Sequence, residues 1–382
     1  MSEVCSRCIY DDTIPMISFD QDGVCNYCRQ YESMCREYPT GEAGWDHLKH
    51  LAEQMKKDGR GRPYDVVIGV SGGCDSSYML HIAHQLGLRV LAAHFDNTWN
   101  SRIAVENIQT VLEKLNIDLF THVVDNKEYC DVFRSFLEAS VPEIDTPSDL
   151  ALAAVHYMAA AKYGIKYIWE GHSFRTEGIS PVGWFYMDAK YIMSIQKRFG
   201  HMPLKTLPLL TLPKWMKWMI VNNIKKIRPL YYIDYDKEAV KKMLHDTYNW
   251  QWYGGHHMEN RTSYFTNNYY LPKKFNIDLR YCELSAKVRS GLMTRDQALA
   301  EISQPKMFEE NILEEVKKRL HFSDEEFLEV MKRPLKSYRD YPTYKQTFER
   351  LRPLFWLLYK ANMVPRSFYV KFTSKDLTAR KK

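Results

Sequence analysis

The heptapeptide Ser71-Gly72-Gly73-Cys74-Asp75-Ser76-Ser77 constrains this chain more than any other feature, because of what flanks it. The apolar stretch Val66-Val67-Ile68-Gly69-Val70 precedes it, and Tyr78-Met79-Leu80-His81-Ile82-Ala83 follows. That order reads as strand, glycine turn and helix. Paired glycines let the backbone bend sharply and approach an anion, and a helix N-terminus adds N–H donors and the positive end of a dipole. Ser71, Gly72, Gly73, Asp75, Ser76 and Ser77 are therefore the expected phosphate cradle. No Gly-Lys-Ser/Thr closes the turn, which excludes the Walker type.

Around this turn the hydrophobic pattern alternates. Strands are predicted at 65–70, 89–95, 118–124 and 166–170, and helices at 75–86, 101–115 and 148–163. This predicts an α/β fold with a parallel sheet, right-handed crossovers and a ligand at the carboxyl ends of the strands. From about residue 180 the rhythm is lost. Aromatic and basic residues then interleave in Trp184-Phe185-Tyr186, Trp215 to Trp218 and Trp250-Gln251-Trp252-Tyr253. Periodic segments at 236–247, 285–302 and 308–319 predict a mostly helical region. The expected organisation is a metal knuckle at 1–40, a nucleotide-binding domain at 41–180 and a helical substrate- and partner-binding region at 181–382. Within the last, the segment Leu207 to Tyr232 mixes Trp215, Trp218 and Met219 with Lys214, Lys217, Lys225, Lys226 and Arg228. It reads as a packed helix with its lysines in water rather than as an interfacial or docking helix.

The cysteines are unevenly placed. Four of the eight fall in the first 28 positions, as Cys5-x2-Cys8 and Cys25-x2-Cys28, which is tetrathiolate zinc spacing. Four thiolate ligands close the shell, so the zinc is structural. Cys35, Cys130 and Cys282 read as ordinary buried thiols. The net charge of +6 is modest for 382 residues, although basic residues gather from Lys371 to Lys382. An RNA-modifying enzyme usually shows a denser basic stripe, so no nucleic-acid partner is expected. Neither a leader-like apolar region nor a run long enough to span a membrane is found, and a cytoplasmic protein is expected.

The Ser-Gly-Gly-x-Asp-Ser core resembles the PP-loop of enzymes that split ATP into AMP and pyrophosphate. A carboxylate at Asp75, next to phosphates, calls for a cation, and magnesium fits that need. Glu177 is the candidate second ligand, since Gly171-His172-Ser173-Phe174-Arg175-Thr176-Glu177 follows a predicted strand at the same sheet edge. This segment resembles the second signature of PP-loop enzymes. The resemblance implies that Gly171 allows close approach, that His172 and Arg175 meet phosphate or activated substrate, and that Glu177 binds magnesium. By the same analogy Asp96 and Asn97 read the adenosine, and Arg228, before Pro229-Leu230, faces the pyrophosphate. Cys74 varies in such loops and is not expected to be a nucleophile. No glutaminase signature occurs.

Together, the cysteine knuckles, the 71–77 loop, Phe95-Asp96-Asn97-Thr98-Trp99-Asn100-Ser101, the 170–177 segment, and Tyr253-Gly254-Gly255-His256-His257 with Leu271-Pro272-Lys273-Lys274-Phe275-Asn276 resemble the N-acetyl sugar amidotransferase family of bacterial surface-polysaccharide biosynthesis. The resemblance implies ATP-dependent conversion of an acetamido group on an activated sugar, of the kind used for lipopolysaccharide O-antigen, into an acetamidino group. Ammonia would come from a separate glutaminase and its synthase-like partner. Trp99, Asn100, His256, His257 and Lys273 are the implied substrate contacts. A tRNA sulfurtransferase of the same loop class is the rival reading. It would need paired cysteines near the sheet, whereas Cys130 stands alone.

Overall fold

The computed structural model describes residues 3–374 apart from 256, 257, 307, 362 and 365. The predicted alternation is present. After helices α1 (Asn26–Glu37) and α2 (Gly41–Asp58) come β1 (Val66–Gly69), α3 (Cys74–Gln85), β2 (Val90–Asp96), α4 (Arg102–Leu115), β3 (Asp118–Val123), α5 (Asn126–Ala139), α6 (Thr146–Tyr163) and β4 (Tyr167–Trp169). The sheet is wholly parallel in the order β3-β2-β1-β4-β5, where β5 is Lys225–Ile227.

Strand alternation sorts the core onto the two faces of this sheet. Val66, Ile68 and Val70 join one buried cluster, with Leu48, Leu80, Val111 and Leu244 from helices. Val67, Leu91 and Ala93 join the other, with Phe133, Phe136, Val155 and Ile192. The turn after β1 therefore emerges at a rigid, doubly covered sheet edge.

Three expectations are corrected. α5 was missed, although Tyr129, Val132, Phe133, Phe136 and Leu137 follow helical spacing and Asp125 caps the first turn by accepting from Lys127 N and Glu128 N. The segment 285–302 is not one helix but two, Arg280–Arg289 and Arg295–Ser303, interrupted at Gly291 with φ +73°. The sheet also does not end at residue 180, because β5 lies within 181–382 and pairs with β4. Three short residues with two lysines carry too little hydrophobic signal to read as a strand.

Beyond β4 the described residues are mostly helical, including α7 (Ala189–Phe199), a short α8 (Leu212–Met216) that runs on into a wider turn at Lys217–Val221, and α9 (Lys237–Tyr248). The tryptophans of the 215–218 stretch are packed as expected, but the 207–232 segment is not one helix with its basic residues in water, because 225–227 forms β5 and Lys226 and Arg228 pair with Glu170. Trp215 Nε1 donates to Tyr157 Oη at 3.1 Å, and Trp218 stacks on Tyr157 at 5.6 Å between centroids. No described helix is long and apolar enough to cross a membrane.

Candidate active site and metal centre

Gly72 and Gly73 explain why the turn after β1 has its shape. Gly72 has φ +78°, and a Cβ there would lie 2.2 Å from the Ala104 carbonyl oxygen, so no side chain fits. Its own carbonyl accepts from Trp250 Nε1 at 3.0 Å and Asn107 Nδ2 at 3.2 Å. Gly73 is the N-cap of α3, and the space a Cβ would take there is bordered by Ser71 Oγ, Tyr253 Oη and Glu259 Oε1. Ser76 Oγ donates to Gly73 O and Ser71 Oγ accepts from Gly73 N, which holds the turn open in one shape. The first amides of α3 point into the turn as an anion site.

Asp75 stands in the first turn of α3 and is brought beside Glu177, as the sequence predicted. Both carboxylates share one ammonium, with Lys237 Nζ 3.0 Å from Asp75 Oδ2 and 3.6 Å from Glu177 Oε1. Tyr235 Oη also donates to Asp75. Burial works against the Asp75 charge, but Lys237 and the Tyr235 hydrogen bond outweigh it and hold the carboxyl below its usual range. Gly171 abuts the pair, since a Cβ there would sit 3.0 Å from Met79 Cε and 3.5 Å from Asp75 Cβ. Two converging carboxylates that already attract a cation fit a hard, oxygen-bound ion such as magnesium.

A second charged group lies at the end of β4. Glu170 pairs with Lys226 and, at 3.2 Å, with Arg228. Burial opposes its ionisation, yet these two cations hold it far below the ordinary carboxylate range. Arg228, expected to face a pyrophosphate, stands beside the end of β4, tied to that carboxylate and, through NH1, to Tyr231 Oη at 3.3 Å. His172 hydrogen-bonds Tyr231 Oη through Nδ1 at 3.1 Å, and its Nε2 lies 3.9 Å from Glu177. Desolvation and the Arg228 charge lower its pKa, so the imidazole is neutral at pH 7.

Other assignments are revised. Arg175 does not face the loop, because its guanidinium donates to the carbonyls of Tyr231 and Tyr38 and lies over the Phe174 ring. Asn97 is buried and spends its amide on Ser148 Oγ, Trp99 N and Asn260. Trp99 is fully buried with the Arg319 guanidinium over its ring at 3.6 Å, so it is core and not a substrate platform. Asp96 is half-buried, accepting from Thr98 N at 2.7 Å, and Asn100 bridges to Asn260 at 3.0 Å. Lys273 is exposed, and among the described residues no hydrogen bond or ion pair joins it to the loop. Its neighbour Lys274 is the buried one, donating to the carbonyls of Val330, Met331 and Arg333. His256 and His257 lie outside the described residues. Cys74 is buried, and burial with the Asp75 charge pushes its thiol up to about 12, which suits packing and not nucleophilic attack.

Sequence reading missed Lys237, Tyr235, Lys226 and Glu259. Lys237 had a legible signal: a lysine at the first position of a helix opposes the dipole and calls for carboxylate partners. The others reach the site only through tertiary folding.

The cysteine knuckle is assembled as predicted. All four sulfurs lie within 4.8 Å of one another, with Cys5–Cys28 at 3.9 Å and Cys8–Cys25 at 3.7 Å. A tetrahedron with ~2.3 Å zinc–sulfur arms has edges of ~3.8 Å, so the donor set fits zinc. The buried Arg289 donates to Cys28 Sγ at 3.3 Å and Cys8 Sγ at 3.2 Å, while Arg295 donates to the carbonyls of Cys5 and Cys8.

Fold and loop together define an α/β protein of the PP-loop class with a four-cysteine cluster. Residues 259–353 match the family model described as LPS biosynthesis protein WbpG-like, C-terminal domain. This domain begins beside the phosphate loop, where Ser101 N donates to Glu259 O and Arg261 N to Trp99 O, each at 2.8 Å. An uncharacterised protein of Methanocaldococcus jannaschii is 24% identical over 324 residues, covering 82% of this chain and 98% of that protein. A probable mitochondrial tRNA-specific 2-thiouridylase of Caenorhabditis elegans is 29% identical over 156 residues, covering 37% of this chain and 40% of that protein. Among solved structures, the NMN synthetase of Francisella tularensis aligns at 16% identity over 77% of this chain and 98% of that one, with a TM-score of 0.32. The NH3-dependent NAD synthetase of Campylobacter jejuni aligns at 11% identity over 76% and 98%, also at 0.32.

Proposed function

We propose that the chain is an ATP-dependent, AMP- and pyrophosphate-forming amidotransferase of surface-glycan biosynthesis, acting in the cytoplasm on the acetamido group of an activated sugar. The observation that carries this reading is the convergence of Asp75, Glu177 and Lys237 on the glycine turn that caps α3, in a chain with a WbpG-like domain. The acetamido oxygen attacks the α-phosphorus of ATP, the bond to the β-phosphate oxygen breaks, and pyrophosphate leaves. Ammonia then adds to the O-adenylated imidate carbon and AMP departs, leaving the acetamidino group. The amides of residues 74–76 hold the departing pyrophosphate, and Lys237 neutralises charge that builds at phosphorus. Gly171 leaves room for the nucleotide against Asp75, and neutral His172 donates or accepts one hydrogen bond without adding charge. Magnesium, held by Asp75 and Glu177, would draw charge from the phosphate oxygens. The ammonia comes from a glutaminase and its synthase-like partner on other chains, since this one carries no glutaminase signature.

The relative named as a thiouridylase raises sulfur transfer to tRNA as a second reading. Against it, Cys74 is buried with a raised pKa and Cys130 is likewise held up by burial. The two readings are separated by pyrophosphate release from magnesium ATP, measured with ammonium and a panel of nucleotide-linked diacetamido sugars, and separately with tRNA and a sulfur donor. Sugar-dependent release with a product in which NH replaces O supports the amidotransferase. Release only with tRNA overturns it.

A further inference from the structure

Two outward-facing elements that pack on one small core, Lys217–Val221 and Arg352–Lys360, are apolar where a helix surface should be polar. In the helix Arg352–Lys360, Phe355 and Leu358 are buried, yet Leu354 (39%), Trp356 (46%) and Leu357 (57%) are exposed, with Leu351 just before them. In the turn Lys217–Val221, Met219 is buried while Ile220 and Val221 (75%) face outward. Both elements close the same small core of Met219, Phe348, Phe355, Leu358 and Val364, so their outer residues flank one structural unit. Scattered exposed leucines need no explanation, but a run that includes tryptophan, leucine, isoleucine and valine on two adjoining elements does.

Charge narrows the occupant. Residues 212–223 and 345–374 hold eight Lys and Arg and a single acidic residue, Glu349, leaving 45 basic against 46 acidic residues in the rest of the chain. The net positive charge of the sequence thus falls in this unit, where Lys345 is turned inward onto the carbonyls of Phe372 and Ser374, burial lowers the pKa of Lys371, and the exposed basic residues are left to meet an occupant. Glu349 is itself within 3.5 Å of Lys345. Lys214 and Lys217 are exposed on the face that leads to Ile220 and Val221, and Lys360 lies beside the Trp356 ring at 5.8 Å. Exposed indole and aliphatic side chains bordered by lysines on long stems match the boundary between lipid headgroups and acyl chains, where the apolar residues enter and the ammonium groups stay with anionic headgroups.

We propose that this unit binds the surface of an anionic lipid bilayer, with the 351–357 stripe and Ile220–Val221 entering the interface. Nothing in the proposal depends on the reaction assigned above. It places the protein on a membrane surface without crossing it, in keeping with the absence of any described spanning helix.

The test is co-sedimentation of the full chain with phosphatidylglycerol vesicles and with phosphatidylcholine vesicles, alongside a Leu354→Ser, Trp356→Ser, Leu357→Ser triple variant. Binding to phosphatidylglycerol is expected to exceed binding to phosphatidylcholine at least tenfold, to weaken as salt shortens the Debye length, and to be lost in the triple variant. A second variant, Arg350→Glu with Arg352→Glu, should lose anionic selectivity while retaining the wild-type melting midpoint. No binding to phosphatidylglycerol vesicles, or undiminished binding by the triple variant, overturns the proposal. So does a soluble oligomer that the triple variant dissolves, because the face would then belong to a protein contact.

Discussion

The cysteine knuckle and the phosphate-loop site differ in how they are assembled. All four knuckle ligands come from 24 consecutive residues, sealed by Arg289 from far along the chain. The loop site takes Asp75 from α3, Glu177 from the segment after β4, and Tyr235 and Lys237 from the start of α9. One is a closed shell of like donors, neutralised as a set. The other is an open balance of opposite charges in which every member holds another in place. A closed shell serves structure because nothing can be exchanged, whereas a shared ammonium between two carboxylates can admit a substrate that brings its own charge.

The largest effect expected from breaking this contrast lies at the knuckle. Cys5→Ser with Cys25→Ser should lose zinc and cost on the order of 5 kcal/mol or more of stability, since structural zinc contributes folding energy directly. Metal analysis with thermal melting checks it, and a folded, active, metal-free double variant would remove the structural role. At the loop site, Asp75→Ala should instead leave the melting midpoint nearly unchanged while lowering AMP formation about 10³-fold, as Lys237 still has Glu177 for a partner. Retained turnover would deny Asp75 its part in handling phosphate or magnesium.

Glu170→Gln sharpens the comparison, because it leaves Lys226 and Arg228 without their shared carboxylate and should cost roughly 3 kcal/mol. Its pH signature follows from the direction of the shift. The folded-state pKa of Glu170 lies below the unfolded value of about 4.3, so its stabilisation is present above that value and drains away as the pH falls further. Denaturant titrations from neutral pH down to about pH 3 should show a shallower acid loss in the variant; parallel curves would mean that Glu170 does not carry it. Smallest is Arg289→Met, which should weaken zinc about 10–100-fold in competition with a chelator while AMP formation with zinc in excess persists. Unchanged zinc affinity would reduce the two sulfur contacts to packing.

The strands and helices around the glycine turn were legible because their hydrophobic periods are long and their turns carry glycine or caps. The knuckle ligands were legible because their spacing is local. Asp75 and Glu177 could be paired in advance because both follow strands of one parallel sheet. Trp99 and Asn97 misled for the opposite reason. A distinctive motif marks a place, but only tertiary packing decides that Trp99 faces Phe133 and Arg319 and not a ligand. Lys237 and β5 come from a stretch whose position beside the sheet depends on the whole chain.

The contact between Arg289 and Cys28 joins residues 261 positions apart. At the roughly 5–20 residues per second of protein synthesis, the thiols emerge some tens of seconds before the arginine that covers them is made. During that interval the four sulfurs are reactive groups on a growing chain, open to oxidation unless zinc is already in place. If zinc fills the cluster, its supply at the moment of synthesis should set how much protein matures, and cells short of zinc should accumulate oxidised, aggregation-prone chains rather than a folded apo-protein.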